Sequence, residues 1–375
     1  MKRFSCHCGQ RIYFENSFCL ICNSSLGYDP VLAEMITLEP VENSLWRGKG
    51  DASENTKKYR FCRNNIDYKI CNWMVEADSD HIFCLSCRLN SLIPNLDGEH
   101  SLKNWAIAEN SKRWLLYSLL QIGLPVVSRF EHPDGISFAF MEDKRSNPAM
   151  AAEHVYTGHA HGLITINLME ANELKREQQR LSIGESYRTL LGHFRHESGH
   201  YYYDRLIRDS PNLQGFRELF GDERKDYQTA LDYYHNNLAR ISHSDQFISI
   251  YAQLHPYEDW AETWAHYLHI TDVLETAVSY NMLEPHIQQL EFPERVKCWI
   301  EFVIGFNALN RSMGHNDAYP FYVTEMVSRK LEFIHRVVSE YNTNKGFQTS
   351  KISSNFTHPP WTTDKINGSG TQAPR

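Results

Sequence analysis

Apolar residues at Leu102, Trp105, Leu116, Leu119 and Leu120 keep mostly helical spacing until Gly123 and Pro125 stop the run. The pattern then alternates in GISFAFM (135–141) and HGLITINL (161–168), which read as β-strands. From residue 170 to about 341 nearly every stretch reads as helix. Within it, Tyr187, Leu190 and Leu191 begin an apolar stripe that Tyr203, Leu206 and Ile207 continue, predicting one helix through the residues between them. Both ends of the chain lack such periods. Residues 1–95 are turn-rich and close on LIPNLDG (92–98), where Pro94 and Gly98 mark a boundary. Residues 342–375 are rich in Ser, Thr, Asn, Gly and Pro, the composition of a disordered tail. The pattern predicts three parts, 1–95, 96–341 and 342–375, and an α+β fold whose second part is predominantly helical.

Cysteine changes the picture of the first part. Eight of the nine cysteines precede residue 88, as Cys6, Cys8, Cys19, Cys22 and Cys62, Cys71, Cys84, Cys87, while Cys298 stands alone and reads as a core residue. Each group ends in a CxxC, CLIC or CLSC, and two such thiolates can share one tetrahedral Zn²⁺ at about 2.3 Å. Buried free thiols have no reason to come in such pairs, so two structural zinc sites are expected. In the first group the other pair is CxC, with His7 as a possible substitute ligand. In the second, Cys62 and Cys71 are far enough apart that the fold must gather them.

The predicted helix carries His196, Glu197, Ser198, Gly199 and His200, an H-E-x-x-H pattern. Positions i and i+4 share a helix face, so both imidazoles can reach one Zn²⁺, and Glu197 can act as general base on a water beside it. Gly199 costs about 1 kcal/mol of helix propensity against alanine, which points to close packing, for instance at a metal. A third ligand is sought in HPYEDWAETWAHYLHI (255–270), where Pro256 suits a first helical turn and Glu258 and Glu262 lie one turn apart. One carboxylate can bind metal while the other accepts a ligand imidazole's N–H. Two carboxylates among Trp260, Trp264 and Tyr267 would be costly without a cation. His193 shares the helix face, but an all-histidine site with His196 and His200 would span two turns of about 5.4 Å each. His266 and His269 are more readily structural.

HESGH followed by a separate E-D-W-A-E helix resembles the gluzincin metallopeptidases. More narrowly, the Cys-rich segment, YRTLLGHFRHESGHYYYDRL, HPYEDWAETWAHYLHI and NRSMGHNDAYPFYV together resemble a bacterial zinc-binding metallopeptidase family with an N-terminal zinc ribbon. The resemblance implies a zincin-like metallopeptidase domain behind a small zinc-ribbon region, with one catalytic and two structural zinc ions. It implies Glu258 as third ligand, Glu262 as acceptor for a ligand histidine, and Glu197 as general base. Tyr251, seven residues before Glu258, matches the place where some gluzincins carry a tyrosine that donates to the tetrahedral intermediate. HGLITINL resembles the zincin strand whose edge pairs with extended substrate, and reads equally as an ordinary core strand.

Composition limits the alternatives. The net charge is −8 over 375 residues, and residues 1–100 hold 11 Lys and Arg against 13 Asp and Glu, so nucleic acid is an unlikely partner despite the locally basic WRGKG and KKYRFCR. No apolar run approaches the roughly 20 residues needed to span a bilayer, no secretory signal is visible, and thiol-rich sites fit a reducing cytoplasm. A zinc-dependent peptidase acting on peptide or protein substrates is the leading reading. A non-catalytic ribbon protein that binds a protein or nucleic-acid partner is the second, and a hydrolase of non-peptide amides the third. Oligomeric state is not encoded in any pattern found.

Overall fold

In the turn-rich first part, elements are short because no run of alternating residues is long. The computed structural model describes residues 1–50, 57–98, 100–145, 150–182, 185 and 187–348. β1 (Phe4–Ser5) and β2 (Arg11–Ile12) pair as a hairpin whose loop carries Cys6 and Cys8. β3 (Ser25–Asp29), β4 (Glu34–Pro40), β5 (Trp46–Gly48), β6 (Lys58–Phe61) and β7 (Met74–Glu76) form an antiparallel sheet in chain order, with helix α1 (Arg63–Tyr68) between the last two. The sheet curls, and Tyr28 of β3 bridges to Trp73 beside β7.

β8 (Asn90–Leu92) leaves this sheet and pairs in parallel with β9 (Ser137–Met141). The second sheet has the order β10 (Gly158–Ala160), β11 (Leu163–Asn167), β9, β8, with β11 parallel to β9 and β10 antiparallel to β11. The strand expected from HGLITINL is therefore β11, but it is not an edge: β9 covers one side and β10 the other. The reason is local. His161 (φ 47°) and Gly162 (φ 81°) both sit in the left-handed region, as a two-residue hairpin turn requires, so the preceding residues fold back as β10. A side chain at 162 would meet the Gly135 carbonyl oxygen at 2.4 Å.

The helices are α2 (Ser101–Gln121), α3 (Glu173–Ser182), α4 (Leu190–Leu206), α5 (Leu213–Phe220), α6 (Tyr227–Asn237), α7 (Pro256–Ser279), α8 (Phe292–Ser312) and α9 (Glu325–Gln348). The chain thus mixes α and β, with short sheets toward the N-terminus and helices after residue 170. α9 runs beyond residue 341, so part of the expected tail is helical; residues 349–375 lie outside the described residues. α4 starts later than the apolar stripe implies. Thr189 accepts a hydrogen bond from the Gly192 N–H at 3.0 Å and caps the helix, leaving Tyr187 outside it.

A continuous core joins these parts. Phe14 packs edge-on against Tyr28, Trp114 and Tyr117, which binds the Cys-rich segment to α2. Deeper in, α4 and α7 cross at Gly199. A Cβ there would lie 2.9 Å from the Ala261 Cα and 3.1 Å from the Trp264 ring, so the glycine admits the neighbouring helix, not a metal. The Trp260 indole donates to the Gly199 carbonyl at 2.9 Å and the Trp264 indole to the Ser198 hydroxyl at 3.1 Å. Cys298 packs against the core as expected but is only partly buried, lining a surface groove with Leu283, Ile287 and Phe302.

Gly199→Ala is expected to lower stability by about 1–3 kcal/mol through overpacking, more than the roughly 1 kcal/mol gained in helix propensity. Thermal unfolding checks this as a fall of several degrees in Tm; an unchanged Tm would show that the helices separate freely.

Candidate metal centre

α4 places His196 and His200 one turn apart. α7 supplies the facing carboxylate from its first turn, because His255 caps it by accepting from the Tyr257 N–H at 3.1 Å and Pro256 opens it. Glu258 therefore sits at the positive end of the helix dipole, which favours its charged form. Glu258 Oε2 is 3.0 Å from His196 Nε2 and 3.4 Å from His200 Nε2. One ligand atom from each of the three residues lies within 4.8 Å of the others.

The fit to a metal follows from these distances. Ligands bound tetrahedrally at about 2.0–2.1 Å are about 3.3 Å apart, close to both separations. Glu258 Oε2 is buried and, among the described residues, makes no hydrogen bond of proper geometry. His196 Nδ1 lies 2.7 Å from Glu262 Oε1, so that nitrogen carries the proton and Nε2 presents its lone pair. A buried acceptor and an imidazole lone pair aimed at one point need a cation or a proton there.

Each carboxylate has further support. The Tyr227 hydroxyl donates to Glu258 Oε1 at 2.7 Å, and the Ser249 hydroxyl donates to Glu262 Oε2 at 2.7 Å. Trp260, Trp264 and Tyr267, expected around the carboxylates, serve the packing of α7 instead. The His200 ring stacks on Tyr257 with centroids 4.4 Å apart, and His159 of β10 lies parallel to it at 6.4 Å. Glu197 is buried beside these residues, and none of the described residues hydrogen-bonds to its carboxylate. The Tyr251 ring is 5.8 Å from His196 and packs with Tyr227 against Leu231, Tyr234 and Leu254.

The electrostatics are strongly coupled. Burial disfavours charge on His196, but contacts with Glu258 and Glu262 and their charge outweigh it and raise its pKa well above the ordinary histidine value. Burial likewise opposes charge on Glu258, yet the His200 charge and the contacts with His196 hold it well below the carboxylate range. The other histidines are used elsewhere. His193 Nε2 is 3.5 Å from Glu170, His266 bonds the Tyr319 hydroxyl at 2.6 Å, and His269 bonds Arg195 at 2.8 Å, so the all-histidine arrangement is not assembled. Tyr227, Ser249 and His159 carry no sequence signal, coming from separate segments with no spacing to the HExxH, whereas Tyr257 stands beside Glu258 in the quoted HPYEDW stretch.

The cysteines also converge. Sulfur separations are 3.6 Å for Cys6–Cys22, 3.7 Å for Cys8–Cys19 and 3.6 Å for Cys71–Cys84, near the roughly 3.8 Å edge of a tetrahedron with 2.3 Å Zn–S bonds. All nine cysteines are free of disulfides. In the second quartet, Cys62 heads α1 and Cys71 follows it, so one short helix gathers the widely spaced pair. The first quartet is complete without His7, whose exposed ring lies by Gly50.

Comparison with known proteins agrees with the geometry. The family described as "Putative zinc-binding metallo-peptidase" matches residues 101–337, and a zinc-ribbon domain matches residues 3–98. Proteins of Mycobacterium tuberculosis and Mycobacterium bovis, each described as uncharacterized, are 40% identical over 350 residues, covering 91% of this chain and 96% of theirs. No solved structure matches the chain. The chain belongs to this zinc-binding metallopeptidase family and carries its zinc-ribbon domain.

Metal analysis of the purified protein is expected to find about three zinc ions per chain, and about two in His196→Ala, His200→Ala or Cys84→Ser. Because His196 is held protonated when metal is absent, zinc uptake at neutral pH is expected to release about one proton, and affinity to weaken as pH falls. Titration of chelator-treated protein with a pH indicator measures both.

Proposed function

We propose that this member of the zinc-binding metallopeptidase family is a zinc-dependent peptidase of zincin-like, gluzincin type, with its reacting centre between α4 and α7. The observation that carries the reading is the meeting of His196 Nε2, His200 Nε2 and Glu258 Oε2 at near-tetrahedral spacing beside an unbonded Glu197 carboxylate. His196, His200 and Glu258 would hold the ion, and the two cysteine quartets would hold one structural zinc each. The chemistry that zinc supplies when bound is polarisation of a carbonyl and acidification of a water.

The chain's own groups do the rest. Glu197 accepts the proton of the attacking water and returns it to the departing amine, a role that requires a carboxylate not engaged elsewhere. Glu262, anchored by Ser249, fixes the His196 ring and its tautomer. Tyr251, whose ring is 5.8 Å from that of His196, would donate its hydroxyl to a carbonyl oxygen as it gains charge. β10, the outer strand nearest His200, offers its free edge to an extended peptide, taking the role expected of β11. Residues 1–95 act as a ribbon region and 96–341 as the peptidase domain. No helix among the described residues is long and apolar enough to cross a membrane, and the free thiols fit the reducing cytoplasm.

Glu197→Gln is expected to lower kcat/KM on a peptide-library substrate by about 10²–10⁴-fold with metal content and Tm unchanged. Full activity in that variant would sink the mechanism. Tyr251→Phe is expected to lower kcat by about 10²-fold with little change in KM, as for loss of one oxyanion donor. Steady-state kinetics decide between this and a packing role.

A further inference from the structure

The two oxygens of Glu258 face different partners. Oε2 points to both histidines, while Oε1 accepts the Tyr227 hydroxyl at 2.7 Å. Tyr227 comes from the first turn of α6, whose start is fixed by Asp226 accepting from the Thr229 N–H at 2.7 Å. The Tyr227 ring also meets the ring of His255, with centroids 5.4 Å apart. Leu231, Tyr234 and Leu254 pack as a small cluster with Tyr227 and Tyr251 against it, which seats both rings.

We propose that Tyr227 is a positioning residue that reserves one oxygen of Glu258, so that this carboxylate meets the metal through Oε2 alone and a coordination position stays open. The inference rests on the zinc-peptidase reading above. A carboxylate with both oxygens free binds in either one- or two-point fashion, and the second fills a place that water or substrate needs. A neutral hydroxyl is suited to the task. It occupies one oxygen without adding charge, as the 2.7 Å bond to Oε1 shows. A lysine there would compete electrostatically with the cation. Partners of liganding groups of this kind are worth about 10–100-fold in metal affinity.

The test uses the full chain in three forms: unaltered, Tyr227→Phe, and Tyr234→Phe as a control in the same cluster. Zinc affinity of the histidine centre is measured by chelator competition. Cobalt then replaces the ion of that centre alone, the cysteine quartets keeping zinc, and its visible spectrum is recorded. Tyr227→Phe is expected to keep Tm and both cysteine-bound zinc ions, to bind the third about 10–100-fold more weakly, and to show a less intense cobalt band as coordination number rises. Tyr234→Phe is expected to match the unaltered chain in both. If the unaltered chain takes up only two ions, the peptidase reading falls and this inference with it. If it takes up three and Tyr227→Phe matches it in affinity and spectrum, the role of Tyr227 alone is overturned.

Discussion

Backbone-to-backbone contact between α4 and α7 is the constraint on which the centre depends. Both imidazoles come from α4 and the carboxylate from α7, so the three meet only if the two helices lie close and in one register. Gly199 removes the side chain that would hold them apart, and the indoles of Trp260 and Trp264 pin α7 to the α4 backbone and Ser198. A slip of one residue along α7 would rotate its side chains by about 100° and carry Glu258 off the histidines. The packing residues, not the liganding ones, therefore set the precision of the site.

Charge supplies the second half of the account. Glu197, Glu258 and Glu262 crowd one short stretch between two helices, and Glu258 is 3% exposed. Carboxylates so placed cost several kcal/mol each unless compensated. The N-terminus of α7, the Tyr227 and Ser249 hydroxyls and the two imidazoles provide part of that compensation. With no cation present, Glu258 and Glu262 raise the pKa of His196 against its own burial. A divalent ion would relieve the same charge where His196 Nε2, His200 Nε2 and Glu258 Oε2 meet.

The parts of this centre that a sequence can show are those held on one helix turn. His196 and His200 at i and i+4, and Glu258 four before Glu262, share faces by helix geometry alone, and CLIC and CLSC place two thiolates on one turn. What the sequence hides is tertiary. Tyr227 reaches Glu258 from 31 residues upstream on another helix, one of 20 tyrosines with no spacing to mark it. β10 is a three-residue strand, too short for alternation, and its existence depends on the left-handed turn at His161 and Gly162, so β11 looks like an edge until that turn is seen. Gly199 could be recognised as a point of close approach, but its partner, Ala261, could not. Tyr187 continued the apolar stripe yet lies beyond the cap, because a threonine hydroxyl ends a helix more firmly than one apolar residue extends it.

The cysteine-rich part is wired to the centre through α2. Arg113 of α2 is a buried guanidinium whose pKa is raised by the charges of Cys71, Glu109, Cys87 and Cys84 despite the opposing effect of burial. Thiolates around a divalent ion keep net negative charge, so this arginine offsets a cost the small module could not bear alone. Three residues past Cys87, Asn90 donates to Glu109 at 2.6 Å, and Glu109 also receives the Trp105 indole at 3.2 Å and Lys112 at 3.0 Å. Lys112 in turn lies over the rings of Phe138 and Phe140 on β9, and both rings contact Phe194, two residues before His196. A second line runs from Ser118 through Asp272 to Arg195, joining α2, α7 and α4. Every step of both lines is buried or partly buried, where a broken partner leaves an orphaned charge rather than a hydrated one. A chain of contacts thus runs from the segment of the second quartet through α2 and β9 to Phe194 on α4.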